Sequence, residues 1–245
     1  MFEPQIEAFC ARKHYKRITP SAALIDMDGT LYDSMRNHAR AWHRMITGLG
    51  IDATEDEFYL YEGRTGASTI NIIFQRAYGR DATADEVEKL YRLKTKYFSE
   101  LPAVEVMPGA RQLMEELRDM GLKRVLVTGS GQRSLIDRLE ADFPGIFTPD
   151  MMVCGADVTH GKPHPEPFIK ALQRAGVSPS AAIAIENAPL GVESANRAGV
   201  FPVAVTTGPI GADHFEKAGA GVIFRSMPEA AQAVPVLILD MLTSH

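Results

Sequence analysis

Short apolar runs alternate with amphipathic stretches along most of this chain, and the two periods separate strands from helices. Ala22-Ala23-Leu24-Ile25, Arg124–Thr128, Met151-Met152-Val153, Ala182-Ile183-Ala184-Ile185, Phe201–Thr206 and Gly221–Phe224 are short, largely apolar and lack helical periodicity, so they read as buried strands. The helix after Met107 has Pro108 in its first turn, Leu113, Met114 and Leu117 on one face, and Gly121 as its stop. A second helix puts Phe168, Ala171 and Leu172 on one face and ends at Gly176; a third spans Gly191 to Ala198 with Gly199 behind it. Alternation of this kind predicts an α/β fold built on a mostly parallel sheet.

Between about Ser34 and Val106 the pattern changes to helices without intervening strands. Ala39, Trp42, Met45, Ile46 and Leu49 share one face of a helix ending at Gly48 or Gly50. Ile70, Ile73, Phe74 and Ala77 mark another, with Ser68 or Thr69 as its cap and Gly79 as its stop. Val87, Leu90, Tyr91 and Leu93 mark a third. The organisation expected is an N-terminal helical extension over 1–20, a core formed by 21–33 and 107–245, and a helical block over 34–106. A helical block inserted behind the first strand has the layout of a mobile cap that excludes water and selects substrate. Arg12-Lys13-His14-Tyr15-Lys16-Arg17 reads as a solvated helix face.

The chemistry gathers at strand ends. Asp26-Met27-Asp28-Gly29-Thr30 follows the first apolar run, and ligands of open parallel sheets bind beyond the carboxyl ends of the strands. Two carboxylates so close repel at neutral pH unless a cation sits between them, and a hard divalent ion such as Mg²⁺ suits all-oxygen ligands. One Asp can then serve as nucleophile and the other as proton shuttle. Taken alone, Asp and Gly there could merely shape a turn. Three further segments weigh against that: Thr128-Gly129-Ser130-Gly131 after the second strand, Gly161-Lys162-Pro163-His164-Pro165 in a Pro-flanked loop before a helix, and Glu186-Asn187 after the Ala182 strand. A nucleophile, a hydroxyl beside backbone donors, an ammonium and further oxygen ligands are the parts that phosphoryl transfer needs.

These four segments, in this order, resemble the haloacid dehalogenase superfamily from about Ser21 onward, and more narrowly its branch of β-phosphoglucomutases and small-substrate phosphatases with a helical cap. The resemblance implies a Rossmann-like core. It makes Asp26 the nucleophile that becomes an aspartyl-phosphate and Asp28 the general acid/base whose backbone carbonyl helps hold Mg²⁺, with Thr128 and Lys162 binding the transferring phosphoryl group. The dehalogenases proper lack the second Asp, so Asp28 favours phosphoryl chemistry. Many relatives carry Glu-Asp where this chain has Glu186-Asn187. Asn retains a coordinating oxygen but removes a charge, so Asn187 remains a metal ligand and Glu186 a candidate to replace the missing charge.

Within the cap, Glu62-Gly63-Arg64-Thr65-Gly66-Ala67-Ser68-Thr69 combines glycines with two charges that a core would not take. It is expected to face the active site, with Glu62 and Arg64 touching substrate beside Gly129 and Ser130. The mutases are basic where this chain has Glu62, and an acid there repels a bisphosphorylated sugar. The GRTGASTIN and IENAPLG segments resemble inorganic pyrophosphatases of the haloacid dehalogenase type from gut bacteria. Pyrophosphate is therefore the first expectation for substrate, with β-phosphoglucomutase or sugar-phosphate phosphatase activity as the alternative. His38 stands where the mutases carry a cap-hinge His and Lys94 matches a phosphate-reaching Lys; both favour the alternative.

Composition fits an ordinary globular enzyme. In 245 residues, 45% are hydrophobic and 23% charged, enough for one large core plus a small domain. A net charge of −5 gives no reason to expect nucleic acid or an anionic membrane as partner. Cys10 and Cys154 lack metal spacing, and Cys154 reads as a small core residue. No long apolar run or signal-peptide pattern appears, so a cytoplasmic monomer or weak homo-oligomer with a small phosphorylated substrate is expected.

Overall fold

The computed structural model describes residues 1–131 and 133–243. Six strands form one all-parallel sheet: β1 Ala22–Ile25, β2 Lys123–Val127, β3 Met152–Val153, β4 Ala182–Glu186, β5 Phe201–Val205 and β6 Val222–Phe224, in the spatial order β3-β2-β1-β4-β5-β6. The chain winds outward from β1 through β2 and β3, then restarts on its other side with β4, β5 and β6. The crevice at such a switch point is where an open α/β sheet binds ligands, and β1 lies beside it. Ile25 pairs with Leu126 on one side and Ile185 on the other, so the segments following β1, β2 and β4 leave the sheet at one level.

Both faces of the sheet are covered, which explains why its strands are apolar throughout. Ala23, Ile25, Leu126, Ile183, Ile185 and Val203 turn to one face, against the helices Glu3–Lys13, Ala110–Asp119 and Met227–Thr243. Ala22, Leu24, Val125, Val127, Ala182 and Ala184 turn to the other, where Phe168, Ala171 and Leu172 of helix Glu166–Ala175 pack as expected. The alanines on that face leave room for the Phe168 ring.

The first helix is part of this core. Phe9 meets Phe201 edge-on at 5.0 Å and the amino terminus pairs with Asp240 at 2.7 Å. The basic run does not form the helix face read from the sequence: the helix closes at Lys13, His14 is left-handed (φ 57°), and Lys13 Nζ donates to the Asn196 carbonyl at 2.6 Å. Cys154 is half-buried and follows a two-residue strand, because Pro149–Met151 forms a 3₁₀ turn. The helix expected from Gly191 starts at Pro189, the position where Pro is preformed for a helix.

The helical block comprises Met35–Thr47, Glu55–Leu60, Gly66–Tyr78 and Ala84–Ser99, and it has a core of its own around Trp42, Met45, Ile46, Phe58, Ile70, Ile73, Phe74 and Leu90. Three details differ from the sequence reading. The short helix Glu55–Leu60, capped by Thr54, had no apolar period long enough to reveal it. Helix Gly66–Tyr78 is capped by Thr65, whose hydroxyl accepts from Ser68 N at 3.2 Å, rather than by Ser68 or Thr69. Leu49 lies outside its helix and is exposed. Among the described residues, no helix is long and apolar enough to cross a membrane.

Candidate active site

Asp26 and Asp28 leave the end of β1 and are buried. The turn beyond them is tight: Gly29 adopts φ 81°, and a Cβ there would lie 1.8 Å from Asn187 Nδ2, so only glycine fits. Asp26 N donates to the Ile185 carbonyl at 3.0 Å, which holds the nucleophile candidate against β4. Lys162, fully enclosed, reaches across from the loop before helix Glu166–Ala175. Its ammonium lies 2.6 Å from Asp26 Oδ1, 2.5 Å from Glu186 Oε1 and 2.9 Å from the Val127 carbonyl. Thr128, just beyond β2, accepts from Ser130 N at 3.0 Å through its hydroxyl, which curls the Thr128–Gly131 loop round the same space.

The cap supplies the opposite wall. Asp28 Oδ1 accepts from Ser34 Oγ at 2.7 Å and meets His38 Nε2 at 2.9 Å, and His38 Nδ1 meets Lys94 Nζ at 2.6 Å. Asn187 Nδ2 donates to Glu62 Oε1 at 2.6 Å, bringing Glu62 over the carboxylates. The Gly63 and Arg64 carbonyls pack so closely on Gly129 that a Cβ there would fall 2.4 Å from the first of them. Tyr91 Oη accepts from Gly131 N at 2.9 Å. Arg64 lines the cavity, bonds Ser68 through Nη1, and keeps a buried Nε with no hydrogen bond. Asp26, Asp28, His38, Glu62, Arg64, Lys94, Thr128, Gly129 and Ser130 thus line one cavity, while Lys162, Glu186 and Asn187 support it from behind. Glu186 is engaged by Lys162 rather than turned into the cavity.

Two participants escaped the sequence reading. Ser34 reads only as the approximate start of the helical block, and Tyr91 as part of an apolar helix face. Tyr91 stands three residues before Lys94, hence on the same helix side, and that spacing was the available signal.

The electrostatics follow from packing four acids and two ammonium groups into little space. Burial pushes Asp26 up, Asp28 adds to this, and Lys162 opposes it without cancelling it. Burial, then Asp26, drive Glu62 well above the usual carboxylate range, against the hydrogen bond from Asn187. Burial also acts on Asp28, but His38, Ser34 and Lys94 outweigh it and hold that carboxyl low. Lys162 is held protonated by Asp26 and Glu186 despite its burial. Lys94, buried against Trp42 and Phe98, is lowered to about 7 by desolvation.

The site fits a hard divalent cation. Its donors are all oxygens, the carboxylates raise one another, and the buried Asn187 Oδ1 has no partner, leaving an acceptor free for an ion.

The model of the haloacid dehalogenase-like hydrolases matches residues 20–199, and the chain belongs to that family. It is 30% identical over 187 residues, 76% of this chain and 85% of the relative, to a validoxylamine A 7'-phosphate phosphatase of Streptomyces hygroscopicus subsp. limoneus. It is 31% identical to a phosphorylated carbohydrates phosphatase of Thermotoga maritima, over 73% of this chain and 82% of that protein. A solved structure from Bacteroides vulgatus, described as "Putative beta-phosphoglucomutase", superposes with a TM-score of 0.94 at 42% identity, covering 99% of this chain and 98% of that one.

Proposed function

We propose that this chain is a Mg²⁺-dependent phosphatase that hydrolyses a small phosphorylated substrate, a sugar phosphate by preference, through an aspartyl-phosphate. One observation carries the reading: Asp26 and Asp28 from β1 and Thr128 from β2 face a single cavity, with Lys162 bonded to Asp26 at 2.6 Å. The Asp26 carboxylate attacks phosphorus, and the Lys162 ammonium favours its charged form and holds its Oδ1 at 2.6 Å. The Thr128 hydroxyl and the Gly129 amide receive the phosphoryl oxygens, with the Ser130 amide holding the Thr128 hydroxyl in place. Asp28 protonates the leaving oxygen and then takes a proton from the water that opens the acyl phosphate. Its lowered carboxyl suits the second task, and the negative charge of a bound phosphoryl group raises it for the first. Asp26, the Asp28 carbonyl and Asn187 would hold the Mg²⁺, with Glu62 beside them. When bound, the ion neutralises charge on the transferring group.

Pyrophosphate, the first expectation from the sequence, finds no support among the relatives, whose names concern carbohydrate phosphates and β-phosphoglucomutase. The alternative accords better with them. Two observations keep pyrophosphate as a second reading: Glu62 lies over the carboxylates, and the closed cavity holds only about 60 Å³. That is room for a few waters, so a hexose phosphate requires the cap to lift. Phosphate release with Mg²⁺ from a panel of sugar phosphates, nitrophenyl phosphate and pyrophosphate, compared by kcat/KM, tests both. Activity on none of them overturns the proposal; a marked preference for pyrophosphate selects the second reading.

A further inference from the structure

The loop that delivers Lys162 has an outer side that the proposed reaction does not use. His160 and His164 flank Lys162, and Glu166 opens the helix that follows. The two imidazoles face each other with ring centroids 4.7 Å apart and planes tilted by 35°. His160 Nδ1 lies 3.2 Å from Glu166 Oε2. One ligand atom from each of the three side chains lies within 4.8 Å of the other two.

One of these distances matches the spacing of metal ligands, and the others are near it. Nitrogen and oxygen donors of a tetrahedral Zn²⁺ sit at about 2.0–2.1 Å from the ion and therefore about 3.3 Å from each other. The His160–Glu166 pair already has that separation, and the third ligand atom lies within 4.8 Å of the other two. The carboxylate is preorganised: the Thr159 and His160 amides each donate to it at 2.9 Å, which holds it ionised, at about 2. Lys170 pairs with Oε1 at 3.1 Å and leaves the Oε2 side to the ion. Glu166 caps backbone N–H groups of the loop, and His164 Nδ1 accepts from Glu166 N at 3.2 Å, so hydrogen bonds of the loop hold both rings in place before any ion binds. An open groove between this loop and helix Gly66–Tyr78, bordered by both histidines, gives an ion and its completing water a way in.

We propose that His160, His164 and Glu166 form a separate binding site for a borderline divalent transition-metal ion such as Zn²⁺. The imidazole pair and one carboxylate provide the three protein ligands, and water provides the fourth. The site differs in kind from the all-oxygen cavity, which suits Mg²⁺. Ion binding joins the residues on both sides of Lys162 to the first turn of helix Glu166–Ala175.

Zn²⁺ titrated into the full chain against a chromophoric chelator, with Mg²⁺ in excess, tests this. His160→Ala and His164→Ala are each expected to remove one zinc equivalent or weaken it by more than about tenfold, while Asp26→Asn keeps it. Glu166→Gln, which preserves shape, is expected to weaken the site in the same direction. Co²⁺ provides an independent readout: its tetrahedral d–d absorption appears in the wild type and is absent in both histidine variants, each shown by circular dichroism to be folded. Unchanged zinc stoichiometry and affinity in both histidine variants overturns the proposal. So does zinc binding lost only in Asp26→Asn, which assigns the ion to the carboxylate cavity.

Discussion

The two walls of the cavity are built differently. The core wall hangs on the sheet: Asp26 N bonds the Ile185 carbonyl at 3.0 Å, Thr128 N bonds the Val153 carbonyl at 2.9 Å, and Lys162 is held by three acceptors. The cap wall stands on helices with their own hydrophobic cluster, and it joins the core through side chains such as His38 to Asp28, Glu62 to Asn187 and Tyr91 to Gly131. A strand end is fixed by backbone hydrogen bonds, whereas the cap helices meet the core through side chains, polar ones at the cavity and Ala41 and Phe98 in the core. Groups that must keep sub-ångström geometry belong on the first kind of support, and groups that admit and discriminate substrates belong on the second.

The largest expected effect lies on the core side. Asp26→Asn keeps the shape but removes the attacking charge, so kcat should fall by about 10³-fold or more on every substrate alike. Losses that differ widely between substrates would give Asp26 a discriminating role and erase the contrast between the walls.

Glu62→Lys, on the cap side, should instead move two substrates in opposite directions. Pyrophosphate turnover falls, because a cation replaces an acceptor for the metal or its water. Sugar-phosphate turnover holds or rises, since an acidic side chain no longer faces the anionic substrate. If kcat/KM for both falls in parallel, Glu62 serves the closed fold and not selection.

A smaller change is expected at the seam. Tyr91→Phe deletes the acceptor for Gly131 N and leaves the ring in place, a loss of about 1 kcal/mol that should raise KM about fivefold with kcat little altered. An unchanged KM would mean that this contact does not help hold the cap closed.

A separate effect, read in stability rather than in turnover, is a pH slope without substrate. Burial lowers Lys94 to about 7 from its ordinary 10.5, so between those values the unfolded chain binds more protons than the folded one. The penalty is fully present below pH 7 and is relieved as pH rises toward 10.5. Denaturant midpoints should therefore rise with pH more steeply in the wild type than in Lys94→Met. Identical slopes would show that Lys94 keeps its charge in the closed cap.

Much of this arrangement was legible in the residues. The apolar runs announced buried strands of a mostly parallel sheet, with ends within one residue of those observed, because strand period is read from local sequence. Asp26, Asp28, Thr128 and Lys162 stood out because each occupies a strand end or a Gly/Pro-bounded loop. The change from alternating strands to uninterrupted helices marked the cap. The helix Glu55–Leu60 and the Thr65 cap were missed, since one short turn has too few positions to show a period and a capping hydroxyl depends on where the chain bends.

What the sequence determined by itself is therefore the fold class and the inventory of reactive groups: periodicity and turn chemistry are local. What the tertiary structure decided is which group faces which. Only folding brings Glu62 within 2.6 Å of Asn187, 125 positions away, and turns Glu186 toward Lys162. Only the closed cap ties Asp28 to Lys94 through His38 and sets Tyr91 on Gly131. Those pairings depend on how two separately packed bodies meet, and the charge of each buried group depends on its neighbours in space, which no local pattern encodes.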